Sequence, residues 1–205
     1  MIPDEQVQIR LYTLGRLHVH VERRASLHDT AWEPLRHAAL RYERVHKLLV
    51  CLVSAPGRQL SRTQTLSLLW PELDSQSASH RLDRTIHSLR EIFKPIDLSH
   101  VLLTWRETLT LADQTQLWID ADAFEDLLTQ AQRTSDSAQI EQLLEAASQL
   151  YLGDFLDETP AQMELVENRR RSLRRRWATL MLALTDSRIA QQALPEAVAL
   201  LYRLL

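Results

Sequence analysis

The 205-residue sequence has three glycines, one cysteine and no long apolar run. Gly15, Gly57 and Gly153 stand too far apart for a G-x-G-x-x-G or a G-x-x-x-x-G-K-[ST] loop, so phosphate cradling by those routes is excluded. The lone Cys51 excludes an intrachain disulfide and a cysteine-built zinc finger, and it suits a reducing compartment. It lies in the run Leu48, Leu49, Val50, Cys51, Leu52, Val53, where a small buried hydrophobe is expected rather than an exposed thiolate. That run is far below the roughly 20 apolar residues a membrane span needs. Residues 1–10 lack the apolar core of a secretory signal, so a cytoplasmic protein is expected. No G-x-S-x-G elbow occurs, and neither an enzyme nor a cofactor is expected.

What is present is an ordinary globular composition, 45% apolar and 25% charged, which can build one large core or two small ones. The net charge of -3 hides an asymmetry. Residues 1–115 hold 15 Lys+Arg, 13 Asp+Glu and all 8 histidines, net +2, whereas residues 116–205 hold 9 basic and 14 acidic residues, net -5. Such a shift points to two domains with different partners. Six of the nine basic residues in the second part fall between Arg169 and Arg176. They are expected on a solvated helix face, with Glu167 and Arg171 in the favourable i to i+4 order, or as a second basic patch.

Residues 7–22 alternate apolar and polar, with Val7, Ile9 and Leu11 and then Leu17, Val19 and Val21, which predicts two strands broken at Gly15. Ala31 to Leu35, running through Pro34, reads as an edge strand. From Arg41 the period changes: Val45, Leu48, Leu49 and Leu52 mark one face of helix one, which stops before Pro56-Gly57. Ser61-Arg62-Thr63-Gln64 has capping-box spacing and opens helix two, about three turns long, closed by Pro71. A polar linker, Asp74 to Ser77, leads to helix three, whose Ala78, Leu82, Ile86, Leu89 and Phe93 form one narrow apolar stripe. Past Pro95, Val101 to Leu111 predicts a hairpin around Arg106-Glu107 without the glycine that tight turns favour. From Ala121 onward the pattern is helical, ending in a helix opened by Leu194-Pro195 and still running at Leu205. The phrases Ala147-x-x-Leu150-Tyr151 and Ala199-Leu200-Leu201-Tyr202 hint at a helical-hairpin repeat.

The expected fold class is therefore α+β, mostly α: a winged helix-turn-helix domain over residues 1–115 followed by an all-helical domain over residues 116–205. In a winged helix the polar face of helix three enters the major groove of duplex DNA. That face gathers Ser77, His80, Arg81, Arg84, His87, Ser88 and Arg90, with His80, Arg84 and His87 suited to base edges. Arg81, Arg90 and Lys94 suit phosphates, with Arg62 and the wing residue Arg106 as further backbone contacts. Asp83 and Glu91 lie on the same face, and the bland reading is an amphipathic helix with a solvated back.

Leu14-Gly15-x-Leu17-x-Val19 opens a longer ordered set of motifs. It continues with Lys47-Leu48-Leu49-Val50-x-Leu52, Gly57-Arg58-x-Leu60-Ser61-Arg62, Leu69-Trp70-Pro71 and Ser88-Leu89-Arg90. Ile119-Asp120-Ala121-x-x-Phe124-Glu125 and Leu150-Tyr151-x-Gly153-Asp154-Phe155-Leu156 complete it. Together these resemble the SARP family of bacterial transcriptional activators, an OmpR-like winged helix followed by a TPR-like bacterial transcriptional activator domain. The resemblance implies a recognition helix from about Ser77 to Phe93, Arg106 on the wing, and a region from Asp120 onward that packs on the DNA-binding domain and serves activation or dimerisation. It further implies promoter direct repeats as the DNA target, RNA polymerase as a contact and a homodimer on DNA. Asp83, Ser88 and Glu91 stand where basic residues are expected along helix three, so a modest or dimer-dependent affinity is expected. The competing reading is a protein-interaction module with a degenerate winged helix that binds no DNA. His18 and His20 share a strand face, but no carboxylate beyond Glu22 stands near them in sequence, so ordinary exposed histidines rather than a metal site are expected.

Overall fold

The computed structural model describes residues 9–26, 29–94, 101–112, 117–160 and 163–204. The predicted strand residue Val7, Pro95, residue 115 and Leu205 lie outside them. Alternation in β1 (Ile9–Tyr12) buries Ile9 and Leu11 while their neighbours stay half-exposed. β2 (His18–Ser26) pairs antiparallel with β3 (Asp29–Pro34), from His20 opposite Pro34 to Glu22 opposite Trp32 and onward, so the proline falls on an edge strand where no ladder donor is needed. With β7 (Leu117–Ile119) these form a four-stranded sheet in the order β3-β2-β1-β7. A second, three-stranded sheet has the order β4-β6-β5, formed by β4 (Gln59–Ser61), β5 (Leu102–Trp105) and β6 (Thr108–Leu111).

A short 3-10 turn, Ala38–Arg41, leads into α1 (Glu43–Ser54). Periodicity predicts one buried face; instead Val45 and every residue from Leu48 to Ser54 are buried, because α1 packs against α2 (Arg62–Leu69), α3 (Ser75–Phe93) and β6. Cys51 is fully buried, and desolvation pushes its thiol up to about 12, an inert core position. α2 has two turns rather than three, since Trp70 leaves the helix at φ -144° and ψ 62° before Pro71. α3 starts inside the expected linker, because Asp74 accepts from the Gln76 and Ser77 amides and caps the helix at Ser75.

The contacts divide the chain into one unit built on Val19–Trp118 and another built on Leu11–His18, Ile119–Pro160 and Glu167–Leu205. Leu11–His18 thus groups apart from the residues around it in sequence, and buried polar bonds supply the reason. Asp120, the first residue of α4 (Asp120–Arg133), is buried and takes the Thr13 amide and hydroxyl at 2.7 and 2.6 Å, the Leu14 amide at 2.9 Å and the Ala121 amide at 2.8 Å. Burial raises its pKa while these donors pull it down, and burial wins. Gly15, at φ +116°, donates its amide to the Asp154 carbonyl at 3.0 Å. A Cβ on Gly153 would come within 3.3 Å of Gly15 Cα, so two glycines far apart in sequence permit this close approach.

The rest of this unit is α5 (Ser137–Leu150), the 27-residue α6 (Glu164–Ala190) and α7 (Leu194–Tyr202). α7 ends at Tyr202 with Arg203 as its cap, where the pattern predicts a helix running to the last residue. Tyr151 stacks on Trp177, with ring centroids 4.7 Å apart, and tilts against Phe124. Its supposed repeat partner Tyr202 is exposed, so the two phrases serve different ends. The arginine cluster of α6 is divided: Arg171, Arg174, Arg175 and Arg176 are exposed, as a solvated face implies, while Arg170 departs from it. Arg170 is buried and donates to the Phe155, Leu156 and Thr159 carbonyls at 2.9, 2.6 and 3.0 Å. That clamp holds Leu156 at φ 50°, a left-handed conformation costly for leucine. Arg169 pairs with Asp122 and Glu125, Arg174 with Asp154, and Arg176 with Glu125. Asp154 is held below the usual carboxylate range chiefly by Arg174, so its stabilisation is present at neutral pH and is lost as pH falls through that lowered value.

Asp120→Ala strands three backbone amides and is expected to lower unfolding free energy by about 3 kcal/mol or more in urea titration, against about 1 for Thr13→Val, which loses one hydroxyl bond. Equal costs for the two would remove Asp120 from this role.

Candidate nucleic-acid interface

The geometry of α3 follows from its sequence order. Ala78, Leu82, Thr85, Ile86, Leu89, Ile92 and Phe93 are buried, which turns the opposite side outward along the whole helix. His80, Arg81, Asp83, Arg84 and His87 form the exposed ridge, with Ser77 at its capped end. Ser88 is half-buried and donates its hydroxyl to the Arg84 carbonyl at 2.9 Å, one turn back. The amide of Ser77 is the main reason the Asp74 carboxyl titrates below its ordinary range, so the cap holds at neutral pH and loosens as pH falls through that lowered value.

Two of the arginines expected on the DNA backbone or bases instead fasten α3 to its neighbours. Arg62 Nη2, from the start of α2, donates to Ser79 Oγ at 2.5 Å and pairs with Asp83 at 2.8 Å. The Arg62 amide donates to the Glu107 carbonyl at 2.6 Å, which ties the hairpin turn to α2. Near the other end of α3, Arg90 donates through Nε and Nη2 to the Leu102 carbonyl at 3.3 and 3.2 Å, and through Nη2 to Thr104 Oγ1 at 2.8 Å. Lys94 is exposed and pairs with Glu91 at 3.2 Å. Arg106 occupies the first position of the two-residue turn between β5 and β6 at φ 52°, where glycine is usual. Its guanidinium lies 5.7 Å from the ring of Trp105, which is 73% exposed. Sequence reasoning placed Arg106 on the wing but passed over Trp105, although a tryptophan beside a predicted turn is the signal that would have found it.

No family model matches the sequence, and no curated protein matches it. Among solved structures, the chain is similar to Mycobacterium tuberculosis EmbR in complex with a low-affinity phosphopeptide, with a TM-score of 0.72 over 97% of this chain and 19% identity. The two share a fold. It is a winged helix followed by a helical domain, mostly α, and this chain spans about half the length of the EmbR chain, 50% of it. In the EmbR-like fold α2 and α3 form the helix-turn-helix and the β5–β6 hairpin is the wing. His18 is exposed and His20 half-buried on β2, and among the described residues no group of three or more histidine, cysteine or carboxylate side chains gathers around a common point. Among the same residues no helix is long and apolar enough to cross a membrane.

Arg90→Ala leaves the Leu102 carbonyl unpaired and removes the Thr104 bond. It is expected to cost about 1 to 3 kcal/mol in chemical denaturation, whereas Lys94→Ala, on the surface, changes stability by less than about 0.5. An Arg90 variant as stable as the wild type would show that the brace does not hold the hairpin.

Proposed function

We propose that the protein is a sequence-specific DNA-binding transcriptional regulator of the cytoplasm, a binding protein rather than an enzyme. The observation that carries this reading is the exposed ridge of α3, with Ser77, His80, Arg81, Arg84 and His87 on a helix buried along its inner side and braced near both ends. A rigid helix presenting donors and acceptors is what base-edge readout in the major groove requires. Its EmbR-like fold and its resemblance to SARP activators support an activator role, with promoter direct repeats as the target. In this reading Arg84, His80 and His87 meet base edges, Arg81 and Lys94 meet phosphates, and Arg106 with the wing meets the flanking backbone. Arg62, Ser88 and Arg90 act chiefly by positioning. The helical unit serves dimerisation on DNA or contact with RNA polymerase.

The test is selection from a random duplex pool with the purified protein, followed by titration of the enriched sequence. One enriched motif, with a spaced direct repeat, is expected. Arg84→Ala is expected to cost about 1 to 3 kcal/mol and to relax the preference at one base position if it pairs with a base. A pool that stays unenriched would favour the interaction-module reading, for which Leu182, Ile189, Leu194, Val198 and Tyr202 of the helical unit are the exposed apolar contacts.

A further inference from the structure

A cleft of about 760 Å³ opens beside α3, lined by Arg41 from the 3-10 turn, by Arg44 and Lys47 from the start of α1, by Arg81 and Arg84 from α3, and by Trp70 between the helices. Tyr42, Leu69, Glu43 and Glu72 complete the lining. Five cations thus face two carboxylates, and Glu43 is already paired with Lys47 at 2.7 Å. Among the described residues the guanidinium groups of Arg41, Arg81 and Arg84 have no carboxylate partner, and that of Arg44 lies over Tyr42, 5.5 Å from the ring. Along α6, by contrast, Arg169, Arg174 and Arg188 are each paired with carboxylates. Arg44 and Lys47, three residues apart, share one side of α1, and Arg41 precedes them at the end of the 3-10 turn.

Like charges held together without counter-charges repel one another and favour a polyanion that neutralises them. Arg81 and Arg84 belong both to the cleft and to the ridge of α3, so a polymer lying on the ridge continues into the cleft. We infer that the cleft is a second phosphate track: Arg41, Arg44 and Lys47 meet the phosphates of one DNA strand while α3 lies in the groove. This rests on the proposed DNA binding and adds to it a contact surface outside the helix-turn-helix. Phosphate contacts of this kind set register and orientation without reading sequence.

The test uses the full chain and a mixed-sequence duplex, with affinity followed by fluorescence anisotropy between about 50 and 200 mM salt. Arg41→Ala/Arg44→Ala is expected to lower the slope of log affinity against log salt by about 1.8, and affinity by about 10- to 30-fold near physiological salt, on mixed and selected duplexes alike. Arg41→Lys/Arg44→Lys is expected to keep the wild-type slope. Arg133→Ala, which removes an exposed cation of α4, serves as the control and leaves the slope unchanged. A wild-type slope in the double alanine variant, or an equal loss in the lysine or Arg133 variants, overturns the inference while leaving DNA binding intact. Wild-type protein that binds no duplex overturns both. Tripolyphosphate binding that the double alanine variant loses, with its duplex slope unchanged, would make the cleft a site for a free anion and not for DNA.

Discussion

The setting of α3 is the constraint on which the first unit depends. Its buried Leu82, Ile86, Leu89, Ile92 and Phe93 each contribute about 1.5 to 3 kcal/mol of transfer free energy, so the stripe outweighs any single polar contact on the helix. A stripe alone leaves a helix free to rock and slide against its neighbours. Directional bonds remove that freedom: Arg62 holds the first half of α3 to α2 at Ser79 and Asp83, and Arg90 holds the second half to the hairpin at Leu102 and Thr104. The Arg62 amide also reaches the turn at Glu107, so helix two, helix three and the wing share one frame. Asp83 has a structural purpose in that frame. An acidic residue that looks out of place on a face proposed to meet DNA is the partner that orients Arg62.

The helical unit is organised by buried polar hubs. Asp120 gathers four donors, and Arg170 satisfies three carbonyls around the left-handed Leu156. Buried polar groups are costly unless every partner is present, and here the partners come from segments distant in sequence, which fixes the path of the chain. The meeting of Gly15 with Gly153 and the stacking of Tyr151 on Trp177 fill in around these hubs.

Much of this was legible because it is local. The stripe of α3, the Ser61–Gln64 capping box and the alternation of β1 depend on neighbours within four residues, and each appears where the pattern put it. The hairpin and the order of elements followed for the same reason. What stayed hidden depends on distance in sequence. β4 and β7 have three residues each and exist only through their pairing partners. Arg62 and Arg90 read as DNA ligands because their carbonyl, hydroxyl and carboxylate partners lie 12 to 21 residues away. The basic run of α6 looked like surface, yet Arg170 faces inward. That Arg41, Arg44 and Lys47 form one basic group was not legible, since Arg81 and Arg84, which join them across the cleft, lie about forty residues on.

The central claim is that the outer ridge of α3 touches DNA. It is tested most directly by nuclear magnetic resonance of the isotopically labelled full chain as a duplex is added at low salt. The account predicts that side-chain and amide signals of His80, Arg84 and His87 move first and furthest, with Arg106 of the wing following. Signals that move only in the helical unit, with α3 unchanged at saturation, would contradict it.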